Sequence, residues 1–171
     1  MTTIISVKPI DFNDKEVIKK EIDDFINKYA YADIEYALEI SPTGKAYILK
    51  GINGNVNSEI LGKDILKGSI SIHNHPVLKD NDRGDSFSKH DLVFAAEYKT
   101  GIQYIVSGER RDAFMFTEHY TNDEIESAWN KTRYKIWEYH DENDTYVVFE
   151  QEEILRELRN YLKGVVYYEN I

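Results

Sequence analysis

The chain has 171 residues and carries 31 acidic against 21 basic side chains, a formal net charge of −10 at neutral pH. That acidity disfavours a phosphate backbone as partner, since nucleic-acid binders show a basic footprint, and it disfavours an anionic membrane surface equally. With no cysteine, disulfides and thiolate metal sites are excluded, while 42% hydrophobic and 13% aromatic residues can build a core for one domain.

No stretch approaches the ~18 apolar residues of a membrane span. The first twelve residues lack the basic and apolar regions of a secretion signal, so a cytoplasmic location is expected. Those residues read as a short strand or lead-in interrupted by Pro9. Asn13 and Glu16 have the spacing of a capping box, and Val17, Ile18, Ile22, Phe25, Ile26 and Tyr29 repeat at helical spacing behind it. A first helix over 14–31 follows.

Ile34 to Ile40 and Lys45 to Lys50 flank Ser41-Pro42-Thr43-Gly44, a hairpin signal. Residues 56–67 are ambiguous, with a short helix about Ile60 to Leu66. Gly68 to His75 reads as a buried strand, Val77 to Phe87 as a polar loop, and Ser88 to Tyr98 as a helix. Ile102 to Ser107 and Asp112 to Thr117 form another hairpin, turning across Gly108 to Arg111.

Thr121 and Glu124 make a second capping box. Ile125, Ala128, Trp129, Thr132, Ile136 and Tyr139 mark a long amphipathic helix behind it, whose aromatic stripe suits core or a dimer surface. A last helix over 146–162 is expected, with Gly164 as its C-cap and a final strand after it. His119 and His140 read as solvent-facing. The order predicts an α/β (α+β) domain with a largely antiparallel sheet and a C-terminal helical extension.

The chemistry concentrates between Gly68 and Lys99. Side chains two apart on a strand share a face, so His73 and His75 reach one point, and Pro76 ends the ladder behind them. Asp91, early in the next helix, would add a carboxylate. A His₂-Asp set leaves one position open for water, the pattern of catalytic rather than structural zinc, and zinc lowers the pKa of that water towards ~7. Amide hydrolysis also needs a base beside the water. Glu35, opening the strand after the first helix, is the candidate. Glu39 shares its face but lies ~13 Å further along; Glu59 is a third option.

Glu35 in an early strand, His73-Asn74-His75-Pro76 at a strand end, and Ser88-x-x-Asp91 opening a helix together resemble the JAMM (JAB or MPN-plus) metallopeptidases. The phrasing is similar to bacterial and phage JAB-like domains. The resemblance covers about residues 30–117 and implies a cytidine-deaminase-like JAB/MPN core with a mostly antiparallel mixed sheet. It implies zinc held by His73, His75 and Asp91, Glu35 as catalytic acid/base, and Ser88 as the hydroxyl that polarises the scissile carbonyl. The implied activity is cleavage of a peptide or isopeptide bond in a protein substrate, including removal of a ubiquitin-like modifier. On this reading residues 1–118 are the metallopeptidase domain and 119–171 a helical extension packed on it. The loop between His75 and Ser88 is several residues longer than the family's usual spacing, through residues 79–85.

Each motif also has a structural explanation. Ser at an N-cap with an acid at N3 stabilises a helix start by ~1 kcal/mol without any metal, and the two roles are compatible. Arg83-Gly84-Asp85 reads as a chance tripeptide, and His90 as a bystander beside Asp91. The competing function is a JAB-like protein-binding module, phage or toxin-associated, with a structural metal or none. Oligomeric state is not fixed by the sequence.

Overall fold

The computed structural model describes residues 1–52, 54–77 and 85–171. Among them seven strands form one sheet in the order β1-β3-β2-β4-β5-β6-β7. The strands are β1 (Thr3–Pro9), β2 (Tyr36–Ser41), β3 (Lys45–Lys50), β4 (Ile70–Asn74), β5 (Gln103–Ser107), β6 (Arg110–Phe116) and β7 (Val165–Tyr168). Neighbours pair antiparallel except β4 and β5, which are parallel. That one pair needs a crossover, and α3 (Lys89–Tyr98) supplies it. The fold is therefore α+β with a mixed, mostly antiparallel sheet. No helix of the described residues is long and apolar enough to cross a membrane.

The alternation of each strand divides the core. One sheet face carries Leu38, Ile40, Ala46, Ile72 and Val106, which bury Phe25, Ile26 and Tyr29 of α1 (Lys15–Tyr29). The other face carries Ile105 and Phe114, which pack with Leu92 and Ala95 of α3. The same cluster takes in Ile125, Trp129 and Ile136 of α4 (Asn122–Glu142) and Ile154 and Leu155 of α5 (Glu150–Glu157). Helices thus cover both faces. Residues 119–171 share this core, and β7 extends the sheet beside β6, pairing Val165 with Phe116.

A buried ion cluster ties that tail down. Arg110 Nε lies 2.7 Å from Asp112 Oδ2, and Nη1 lies 3.0 Å from Glu152 Oε1, an ion pair out of hydrogen-bond alignment. Asp112 also accepts from Ser86 Oγ (2.6 Å), Tyr167 Oη (2.9 Å) and the Asn170 N–H (3.0 Å). Breaking a buried pair of this kind leaves an uncompensated charge, which costs about 3–5 kcal/mol.

Local chemistry moved several boundaries. The cap of α1 is Asp14, not Asn13: its Oδ1 accepts from Glu16 N (3.0 Å) and Val17 N (3.2 Å), and its charge also suits the positive helix end. The second hairpin turns over Gly108 and Glu109 alone, so β6 begins at Arg110; Gly108 takes φ +58° at the first turn position, as a two-residue turn led by glycine requires. Residues 56–67 give a 3₁₀ turn (Ser58–Leu61) and the single-turn α2 (Lys63–Leu66).

The last helix starts only at Glu150 and passes into a 3₁₀ turn, Leu158–Asn160. Gly164 caps no helix. It lies where a Cβ would stand 2.8 Å from Glu118 Cβ, so only glycine fits that approach. His140 is not solvent-facing, since its Nε2 sits 2.8 Å from Glu153 Oε2 and links α4 to α5.

Candidate metal centre

β4 delivers the two imidazoles. Ser71 and His73 share the face under α3, and His75 keeps the ladder one step beyond the strand by donating its N–H to Val106 O at 2.9 Å. His73 Nε2 lies 3.2 Å from His75 Nε2 and 3.3 Å from Asp91 Oδ1. One ligand atom from each of the three falls within 4.8 Å of the others. A tetrahedral ion with bonds of about 2.05 Å needs ligand–ligand edges of about 3.3 Å, which the two edges at His73 Nε2 match.

The helix start fixes Asp91. Ser88 is the N-cap of α3, and its Oγ and N–H both donate to Asp91 Oδ2 at 2.7 Å. Oδ1 is thereby left facing His73. Asp91 is thus both the N3 member of the capping box and the carboxylate that faces His73. A hydroxyl has one proton, so Ser88 Oγ–H can serve Asp91 or a substrate oxygen, but one at a time.

Electrostatics prepare the set for a cation. For Asp91, burial works to raise the pKa, but His73, His75 and the Ser88 donors outweigh it and the carboxyl is held below its usual range. Burial, then the nearby His73, pushes His75 down. A neutral imidazole and an ionised carboxylate are the forms that bind metal.

Glu35 immediately precedes β2. Carrying the Ala37–His73 register two places further sets it across from His75. Its Oε2 accepts from Val56 N at 3.0 Å, and burial raises its pKa against the opposing pull of His75. A residue that sequence reasoning passed over holds it there. Asn74, fully buried between the two histidines, turns to the opposite face. Its Oδ1 accepts from Tyr36 N (2.7 Å) and its Nδ2 donates to Ile34 O (3.0 Å), gripping the backbone on both sides of Glu35.

These side chains open into a cleft of about 700 Å³. Glu59 and His90 are exposed residues lining it, and neither belongs to the ligand group. Glu39 is at its inner wall and 0% exposed, accepting from Ser71 Oγ (2.8 Å) and Ser69 Oγ (3.4 Å). Most of the long loop before Ser88, including Arg83 and Gly84, lies outside the described residues.

Burial pushes the Glu39 carboxyl up to about 7, against hydrogen bonds from Ser58, Ser71 and Ser69 that lower it. In the unfolded chain it titrates near ~4.3, so between those values the folded protein holds the extra proton. Stability should therefore fall as pH rises through that window, by on the order of 3 kcal/mol. Urea unfolding of the metal-free protein and of Glu39→Gln at pH values of about 5 and about 7.5 checks this. The variant should lack that share of the slope; an identical slope would mean that Glu39 stays ionised throughout.

Comparison of the chain with protein-family models, with curated proteins and with solved structures gives no match.

Proposed function

We propose that the chain is a zinc-dependent hydrolase of a peptide or isopeptide bond, of the JAMM type that its motifs resemble. The observation that carries the reading is the convergence of His73, His75 and Asp91, with His73 Nε2 3.2 Å from His75 Nε2 and 3.3 Å from Asp91 Oδ1 and one ligand atom of each residue within 4.8 Å of the others. Zinc, when bound by these three, supplies a Lewis acid for the scissile carbonyl and acidifies a water to a pKa near ~7. Glu35 takes the proton of the attacking water and passes it to the leaving amine. Its place in a partly desolvated wall, gripped through Asn74, keeps the carboxylate beside the reacting atoms and off the metal. As charge develops on the carbonyl oxygen, Ser88 turns its hydroxyl proton from Asp91 to that oxygen. The Ser88 N–H keeps hold of Asp91 meanwhile.

The purified protein, stripped and reloaded, should take up about one equivalent of zinc. It should release amine from an isopeptide-linked fluorogenic substrate, stop on chelation and recover with zinc. Less than about a tenth of an equivalent after reloading would favour the second reading, a protein-binding module. That reading draws on the aromatic side chains exposed on α4 and just after it, Tyr134, Tyr139 and Tyr146.

A further inference from the structure

The two faces of the sheet are covered unequally. α3, α4 and α5 pack on the face that carries Ile105 and Phe114, while among the described residues α1 alone covers the other. α1 buries itself there against β2 and β4, through Leu38, Ile40 and Ile72. Tyr104 of β5 reaches the edge of that cluster. Ala113 of β6 pairs with Tyr104 on one side and Tyr168 on the other, and Met115 pairs with Val166. Partners across an antiparallel ladder share a face, so all five lie on the α1 side. Met115, Val166 and Tyr168 belong to none of the buried clusters. Met115 and Val166 are half-buried and Tyr168 is 50% exposed.

A groove of about 450 Å³ adjoins this patch at Tyr104, with Ile18 and Ile22 of α1 as its other bank and Ile70 in its wall. Neighbouring strands lie ~4.8 Å apart, so β5 to β7 spans roughly 10 Å, the diameter of one helix. Packed helices keep about 8–10 Å between axes. A second helix laid beside α1, which sits over β2 and β4, therefore comes down over β5 and β6. The charge there is inverted from that of the chain, which carries −10. Lys15 and Lys19 stand on the α1 bank, and no acidic residue lines the groove among the described residues. Arg111, exposed, pairs with Val106 at the end where Gly108 donates to Ala30 O, just past α1. Lys19 is held by Asp23, but Lys15 and Arg111 enter no ion pair among the described residues. A two-fold pairing of this face with a second copy would set cationic rims together on two strongly acidic chains.

We infer that this face receives an acidic amphipathic helix of a partner protein, packed beside α1. Its apolar stripe covers Tyr104, Met115 and Val166, and its carboxylates meet Lys15 and Arg111. His73 pairs with Ile105, on the opposite side of the sheet, so the partner docks without closing the cleft. The interaction requires neither metal nor hydrolysis.

The test uses a fluorescein-labelled, capped peptide of about 18 residues, with leucines at i, i+3, i+4 and i+7, glutamates flanking them and alanine elsewhere. Its counterpart carries lysine at every glutamate. By anisotropy at low salt the glutamate helix should bind with a Kd below about 100 μM, at least about tenfold more tightly than the lysine helix. Met115→Glu should weaken it at least about tenfold, and Arg111→Glu at least about threefold. Where Met115→Glu fails to fold, Tyr168→Glu, at a more exposed position, should give the same loss. Equal affinity for the two helices, binding of neither, or affinity undiminished by these variants overturns the inference. A concentration-dependent dimer in sedimentation that Met115→Glu or Tyr168→Glu dissolves would give the face to a second copy and refute the partner helix.

Discussion

Glu35→Gln is expected to leave zinc uptake intact and to lower turnover by about 10²–10⁴-fold, the range that a positioned proton-transfer group supplies. In activation free energy that is about 3–5 kcal/mol. Glutamine keeps the shape of the side chain and can still accept from Val56 N through its carbonyl oxygen, as Glu35 does at 3.0 Å. The backbone clamp from Asn74 to Ile34 and Tyr36 is untouched. What disappears is the lone pair that takes a proton. The measurement is kcat at saturating substrate, paired with metal content by mass spectrometry on the same preparation. A zinc-loaded Glu35→Gln protein that hydrolyses at the wild-type rate would remove Glu35 from the mechanism.

His75→Ala acts on the other half of the site. Losing the hydrogen-bond partner of a metal ligand already costs about 10–100-fold in affinity, so losing a ligand itself should exceed about 100-fold. The rise in melting temperature on adding zinc should vanish with it, because a ligand held 100-fold above its Kd stabilises by about 2.7 kcal/mol. Asp91→Ala should lose zinc equally and also weaken the apo protein by about 1 kcal/mol, since Asp91 closes the capping box of α3. The contrast separates ligand from cap. Zinc affinity unchanged in His75→Ala would dissolve the three-ligand centre.

What could be read in the chain follows from how far apart the partners lie. His73 and His75 are two residues apart on a strand, and Ser88 and Asp91 three apart at a helix start; strand and helix periods alone bring each pair together. The β2–β3 hairpin was legible for the same reason, its turn written in Pro42 and Gly44. Asn74 was not legible, because its hydrogen bonds join residues 38 and 40 positions away. Glu39 presented only as a face-mate of Glu35, since the serines that surround it come from β4, the residue just before it and a 3₁₀ turn, Ser71 being 32 positions away. The choice of Asp14 over Asn13 shows the opposite limit: two good capping residues stand side by side, and only the entry of the chain decides between them.

Asp112 gives the cleft a dependence on the far end of the chain. Ser86, which it anchors, stands two residues ahead of the cap that orients the carboxylate ligand, and the same acid is grasped by Tyr167 and by the amide of Asn170. The lead-in to α3 is thus fastened by Tyr167 and Asn170, more than fifty positions after Asp112. Tyr167 and Asn170 thereby help hold the segment that leads into the capping box containing Asp91.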